Sequence, residues 1–299
     1  MFLHKINISE FQQKDGTYIL DLGGDPHIGG DHSSEHHFID FLETPYMKVL
    51  MGDLLEAIAP GDRRYSKGAH KNPVLNAFWY LRHLLLKHNV EREDAGPVLV
   101  LLRGNHEAVI FNRFGNLYES KYIINNKEEP VGALCEDLGI LYGGVLCLMV
   151  LHDGRGNECE IMLTHGNLAF NYKAGEEERK KTNKQVRLRD SLKRICKADL
   201  YACGHGHQLV VTNPPRAQRL VRNKETNKME LKNTKVGDRG YYCMCGSFTT
   251  VYDEGGDSNY AEDWLVEPTD IGWIRVHMDK NLKIKRLEKI IPDEILDDD

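Results

Sequence analysis

Short apolar runs alternate with longer amphipathic stretches over the first two thirds of the chain. The runs at residues 18–22, 47–51, 98–102, 160–163 and 199–202 have the length of buried strands, and most lead into a glycine-containing turn. Between them the spacing predicts helices. One covers residues 34–42 with Ser34 as a candidate cap, and another covers 74–86 with Val74, Phe78, Leu81 and Leu85 at helical intervals. Phe78 and Trp79 are both expected in the core. Strands alternating with helices predict an α/β core whose strands are largely parallel.

After His207 the pattern changes. Residues 209–212, 241–248, 272–277 and 282–287 read as strands joined by polar turns, a β-rich C-terminal portion that suggests a second layer. Asn213-Pro214-Pro215 breaks structure locally without marking a linker, and Asp297 to Asp299 end an acidic tail. With no internal repeat and no low-complexity segment, residues 1–299 are expected to form a single domain.

Composition narrows the class. Hydrophobic residues make up 41% and charged residues 28%, ordinary for a water-soluble globular protein. The net charge of −6 disfavours a general nucleic-acid coat while leaving local basic patches open. The cysteines (Cys135, Cys147, Cys159, Cys196, Cys203, Cys243, Cys245) are odd in number and form no paired framework, which fits a reducing compartment. Cys243 and Cys245 share a strand face and are expected as core residues. Met1-Phe2-Leu3-His4-Lys5 leads into polar sequence rather than a signal-peptide core, and no apolar run approaches the roughly 20 residues of a membrane span. A cytoplasmic protein without a membrane partner is expected; its oligomeric state is not legible.

The candidate chemistry lies where the runs end. Each is followed within a few residues by a potential metal ligand: Asp25 and His27, then Asp53, then Asn105 with His106, then His165, then His205 with His207. Parallel α/β sheets place active sites at the carboxyl ends of their strands. Taken singly, Asp25-Pro26-His27, Gly52-Asp53 or one histidine is a common structural feature. The ordered set at five strand ends is not. A carboxylate such as Asp53 can bridge two cations, and the Asn105 amide oxygen is a neutral hard ligand suited to Mn²⁺, Fe or Mg²⁺.

This series resembles the calcineurin-like metallophosphoesterase superfamily, whose pattern is D-x-H, G-D-x-x-D, G-N-H-D/E, H and G-H-x-H. The match spans residues 25–207, and it looks most like small prokaryotic or phage-encoded members. The resemblance implies a four-layer α/β/β/α sandwich and two divalent ions, Mn²⁺ first and Fe, Zn²⁺ or Mg²⁺ as alternatives. It implies that Asp25, His27, Asp53 and His207 hold one ion. Asp53 would bridge to a second, completed by Asn105, His165 and His205. His106 would face the scissile phosphate. The implied reaction is hydrolysis of a phosphate ester by direct attack of a hydroxide shared between the ions, with His106 assisting the leaving oxygen.

The chain departs from the family pattern in places. Glu56 stands where the family has the aspartate that orients the catalytic histidine; its longer arm leaves both that role and a solvated helix face open. Residues 101–107, Leu-Leu-Arg-Gly-Asn-His-Glu, are similar to a segment of Ser/Thr protein phosphatases in which the arginine touches phosphate, so Arg103 is a candidate for that contact. Those phosphatases carry Asp-Arg-Gly after the bridging aspartate and lack G-H-x-H, whereas this chain has Glu56-Ala57-Ile58 and Gly204-His205-Gly206-His207.

Charge distribution bears on the substrate. Between Arg179 and Lys197 nine basic residues face one acidic residue, Asp190. Arg63, Arg64, Lys67 and Lys71 form a second basic group with Tyr65 as a candidate stacking ring, and Arg216, Arg219 and Arg222 form a third. Such clusters suit a polyanion, although a charged helix exposes Lys and Arg to water in any case. The leading expectation is a phosphodiesterase acting on nucleic acid or nucleotides. The alternatives are a phosphomonoesterase or Ser/Thr-type protein phosphatase, and a non-catalytic interaction scaffold.

Overall fold

The computed structural model describes residues 1–57, 74–91, 94–109, 121–124, 127–166, 177–214, 216–223, 226–235, 240–250 and 270–292. Arg63, Arg64, Tyr65, Lys67, Lys71 and the tail from Asp297 lie outside the described residues.

In chain order the strands are β1 (Phe2–Asn7), β2 (Tyr18–Gly23), β3 (Met47–Leu50), β4 (Val98–Leu102), β5 (Ile123–Ile124), β6 (Lys127–Glu128), β7 (Leu141–Gly144), β8 (Leu146–His152) and β9 (Glu158–Thr164). They continue with β10 (Leu200–Cys203), β11 (Val210–Thr212), β12 (Arg216–Arg222), β13 (Met229–Lys235), β14 (Tyr241–Met244), β15 (Trp273–Met278) and β16 (Ile284–Ile290). The helices are α1 (Glu35–Glu43), α2 (Val74–Leu86), α3 (Asn105–Val109), α4 (Pro130–Leu138) and α5 (Glu177–Leu192).

The strands form two six-stranded sheets, ordered β1-β8-β9-β10-β14-β11 and β16-β15-β2-β3-β4-β7, with the short pairs β5-β6 and β12-β13. Period-two alternation explains the stacking. In β8, Cys147, Met149 and Leu151 point into the space between the sheets, while Leu146 and Leu148 pack on the opposite face. Leu20, Leu22, Val49, Val100 and Leu102 of the second sheet meet them from across the interior. On the outer face of that sheet Phe38 and Phe41 of α1, Phe78 and Leu81 of α2 and Leu134 of α4 cover Leu50 and Leu101. On the outer face of the first sheet Leu188 and Leu192 of α5 cover Met162, Tyr201 and Tyr242. The result is helix, sheet, sheet, helix. Each fully buried aliphatic side chain contributes roughly 1.5–3 kcal/mol relative to exposure.

The expected elements are found, most with their ends shifted by a residue or two; the strand expected at 241–248 stops at Met244, and that expected at 282–287 runs from Ile284 to Ile290. The sheet assignment differs from the simplest reading. The five apolar runs do not share one sheet: β2, β3 and β4 are parallel neighbours in one, and β9 and β10 are parallel neighbours in the other. Nor do the later strands build a layer of their own. β11 and β14 extend the first sheet and β15 and β16 the second, because their apolar faces complete the shared core. Trp79 is 41% exposed, contrary to the core expectation, because its neighbour Phe78 occupies the inward face of α2. Ser34 precedes α1 but makes no side-chain cap; its hydroxyl lies 2.7 Å from His37 Nδ1. Cys243 and Cys245 are buried in the core as expected.

Candidate metal centre

The parallel strands of both sheets end at one edge, and their following loops meet there. Asp25 lies two residues beyond β2, Asp53 three beyond β3 and Asn105 three beyond β4, while His165 follows β9 directly and His205 and His207 follow β10. Backbone bonds lock the first loops together: Asp25 N donates to Gly52 O at 3.0 Å, His27 N to Asp53 O at 3.1 Å and Ile28 N to Leu54 O at 2.9 Å.

Backbone conformation singles out the same residues. Seven described non-glycine residues have positive φ, and five are Asp25 (55°), His27 (46°), Asp53 (47°), His205 (67°) and His207 (49°). A left-handed non-glycine residue costs on the order of 1–3 kcal/mol and persists only where its surroundings hold it. Core burial offsets that cost. Its concentration here turns five side chains toward one another.

Asp25, His27 and His207 form one potential metal-holding group, and Asp53, His165 and His205 form another; His27, Asp53 and His106 lie between them. The sheets are bridged directly, with Asp53 Oδ2 at 3.1 Å from His165 Nε2 and Asp25 Oδ2 accepting from His205 N at 3.1 Å. Asn105 Oδ1 lies 3.0 Å from the same His165 nitrogen. All seven residues named as ligands in the sequence therefore lie in one cluster.

The donor set fits divalent cations. His165 Nδ1 donates to Met51 O at 2.8 Å, which leaves Nε2 directed at the Asp53 carboxylate and the Asn105 amide oxygen. Three acceptors converging on one point are reconciled only by a proton or a cation. Burial works against charge on His165, but the Asp53 and Asp25 carboxylates raise its pKa to about 9. Burial likewise disfavours charge on His27, and the Glu56 carboxylate, whose Oε2 lies 2.6 Å from Nδ1, raises its pKa to about 9. Burial opposes ionisation of Asp53, but the surrounding histidines hold it well below the usual carboxylate range. His205 is pushed down by burial and by the neighbouring His165, a shift toward the neutral form that metal ligation requires. His27 Nε2 and His205 Nδ1 are buried without a hydrogen-bond partner among the described residues. A metal occupying the cluster would engage both.

Glu56 is not a solvated helix-face residue. Its side chain is 12% exposed and reaches both His27 and His106, with Oε1 at 3.6 Å from His106 Nδ1. His106 is buried, donates its backbone N–H to Asp53 Oδ1 at 2.8 Å, and packs edge-on to the His27 ring at 4.6 Å. Arg103 faces buried Glu129 and Tyr142, and its backbone N–H donates to Gly144 O at 2.9 Å.

Sequence reasoning assigned no role to Glu107, which is fully buried and clamps two ligand loops: Oε1 accepts from Leu55 N at 2.9 Å and Oε2 from Gly104 N at 2.8 Å. Burial and the charge of Asp53 raise its pKa. Its place in Gly104-Asn105-His106-Glu107 was the available signal. Thr249, Ser247 and Asp270 also border the site and carry no motif that would have found them.

The calcineurin-like phosphoesterase family model matches residues 22–209. A comparison with curated proteins gives no match. Similar solved structures include the phosphoesterase Yfce from E. coli, at 14% identity and TM-score 0.33, covering 91% of this chain and 99% of that one. Another is a metallophosphoesterase from Sphaerobacter thermophilus, at 11% identity and TM-score 0.35, covering 91% and 88%. A third is GAP50, the anchor in the inner membrane complex of Plasmodium, at 11% identity and TM-score 0.28, covering 93% and 90%.

Proposed function

Because the chain belongs to the calcineurin-like phosphoesterase family, a family of dinuclear metal-dependent phosphoester hydrolases, we propose that it is a phosphodiesterase acting on nucleic acid or nucleotides. The observation that carries the hydrolytic reading is the convergence of five left-handed residues into overlapping histidine and carboxylate groups. On this reading Asp25, His27, Asp53 and His207 hold one ion and Asp53, Asn105, His165 and His205 the other, with Mn²⁺ the favoured metal. When bound, two such ions supply Lewis acidity and lower the pKa of water toward about 7.

The protein's own groups do the rest. His106, its backbone tied to Asp53 and its ring beside Glu56, is the acid that gives a proton to the leaving oxygen. Glu56 orients His106 and His27 together. Arg103 contacts the phosphate through a planar guanidinium. All 299 residues act as one domain, supported by β15 and β16 completing the sheet that β2 begins. Cytoplasmic residence is supported by seven free cysteines, and among the described residues no helix is long and apolar enough to cross a membrane.

The diester preference draws support from α5. Gln185 Nε2 donates to Val211 O at 2.8 Å, which seats this basic helix beside the strand that follows the His207 loop. Burial lowers the Lys289 pKa, Asp270 works against it, and Lys181 and Lys184 add to the lowering, so this helix brings positive charge near Asp270. The test is hydrolysis of bis-p-nitrophenyl phosphate beside p-nitrophenyl phosphate with Mn²⁺. Faster diester turnover is expected. A monoester preference would favour the phosphomonoesterase or protein phosphatase reading, and failure to take up any transition metal would favour a non-catalytic scaffold.

A further inference from the structure

The Asp25-Pro26-His27 loop combines two disfavoured features. Asp25 and His27 both have positive φ, and Asp25 also precedes a proline, which restricts it further. Such a loop keeps its shape only where its surroundings over-determine it, so the partner of each backbone polar group matters. Asp25 N donates to Gly52 O at 3.0 Å, and Asp25 O accepts from Phe248 N at 3.2 Å. His27 N donates to Asp53 O at 3.1 Å, and His27 O accepts from Gly30 N at 3.0 Å. Pro26 has no N–H, and its carbonyl accepts from Ser33 Oγ at 2.6 Å. The flanking groups are thus held by backbone, and the central carbonyl is held by a side chain.

Two successive turns bring Ser33 back to this point. Gly30 N reaches His27 O, with Gly29 inside that turn at a φ of 91°, and Ser33 N then reaches Gly30 O at 3.2 Å. From the other side the C-terminal portion anchors the same segment. Ser33 forms a β-bridge with Thr249, Ser34 N donates to Phe248 O at 2.6 Å, and Thr250 N donates to His32 O at 2.8 Å. The serine is therefore strapped in place while its hydroxyl reaches the loop. A carbonyl oxygen only accepts, so the hydrogen in this bond is the serine's.

We infer that Ser33 is a positioning residue for metal binding: its hydroxyl fixes the central peptide of Asp25-Pro26-His27, and with it the placement of the two side chains that flank that peptide. The inference rests on the proposed ligand roles of Asp25 and His27. Without the hydroxyl the Pro26 carbonyl loses this partner, and the left-handed residues on either side lose one of the contacts that hold them.

The test uses the full chain and two readouts. Hydrogen exchange of the metal-free protein reports on the loop itself. In Ser33→Ala the His27 and Ile28 amides should exchange roughly 10-fold faster, the loss of about one net hydrogen bond. Mn²⁺ titration reports on the consequence. One of two binding steps should weaken about 10- to 100-fold, the usual cost of removing an orienting partner, while the other stays near wild type. Ser33→Thr keeps the hydroxyl and should restore both readouts. Ser33→Cys keeps the shape with a weaker donor, should fall between wild type and alanine, and serves if Ser33→Ala folds poorly. Wild-type exchange at His27 and Ile28 in the alanine or cysteine variant would overturn the inference. So would equal weakening of both Mn²⁺ steps, or a threonine variant that behaves like alanine. Wild-type protein that takes up no Mn²⁺ would sink the metal reading, and with it the role of Ser33 in metal binding; faster exchange in Ser33→Ala would then still establish its hold on the loop.

Discussion

The two halves of the candidate centre are built by different means. Around Asp53 and His165 the loops are packed so tightly that only glycine fits between them: a Cβ on Gly104 would lie 2.0 Å from Asp53 Oδ1, and one on Gly52 would lie 2.7 Å from His165 Nδ1. Around His207 the site opens, that side chain is 27% exposed, and position is maintained by hydrogen bonds from Thr249 and Asp270. One half is fixed by exclusion of volume, the other by direction of hydrogen bonds. The first half tolerates almost no added atom. The second depends on its polar partners to hold His207 in place.

Gly104→Ala tests the packed half and should have the largest effect. The added methyl cannot coexist with Asp53 in place, so the shared carboxylate must move, and overpacking of this kind costs typically 1–3 kcal/mol or more. A displacement near 1 Å at a catalytic group costs about 10²-fold in rate, and on the proposed ligand set a displaced Asp53 would disturb both ions. Metal content by mass spectrometry and turnover should fall together to background. Retention of two ions per chain would show that the packed half is looser than the distances indicate.

His106→Asn separates position from chemistry. The backbone N–H that holds Asp53 Oδ1 survives the substitution, so both halves should keep their metal. Loss of the proposed acid should reduce kcat by about 10²- to 10⁴-fold. Wild-type turnover with normal metal content would remove His106 from the acid role.

The same division separates what was legible in the sequence from what was not. Every ligand candidate could be read, because each directly follows a strand whose apolar run is conspicuous, and a one-dimensional order survives in the chain. The partition of those strands between two sheets could not be read: β4 and β9 look alike as apolar runs, and only the pairing of β4 with β3 and of β9 with β8 decides which sheet each enters. The left-handed backbone at Asp25, His27, Asp53, His205 and His207 was also hidden, since aspartate and histidine tolerate that region without announcing it. Glu56 was ambiguous because its arm length alone does not say what lies within reach; the fold puts two histidines there. Thr249 was invisible. Nothing in Phe248-Thr249-Thr250 distinguishes one hydroxyl from the next until His207 is brought beside it from 42 residues away.

Gly204→Ala is the smallest expected effect and the sharpest control on the contrast. Gly204 also borders the centre, yet its Cβ would meet Asp25 Oδ2 and Met51 O at 3.1 Å and His165 Nδ1 at 3.3 Å, a squeeze that a shift of a few tenths of an ångström relieves. Gly204 is absent from the glycines with positive φ, so alanine enters its backbone conformation without that penalty. Alanine also narrows the unfolded ensemble, which stabilises by about 0.4–1 kcal/mol at a compatible position. The two contributions are similar in size and opposite in sign. Thermal midpoint should therefore stay within about 3 °C of wild type, two ions should remain bound, and turnover should fall by less than roughly the 10²-fold that a 1 Å misplacement brings. If Gly204→Ala instead lost its metal as completely as Gly104→Ala, proximity to the centre would matter rather than the distance to the nearest atom, and the distinction between a packed half and a directed half would collapse.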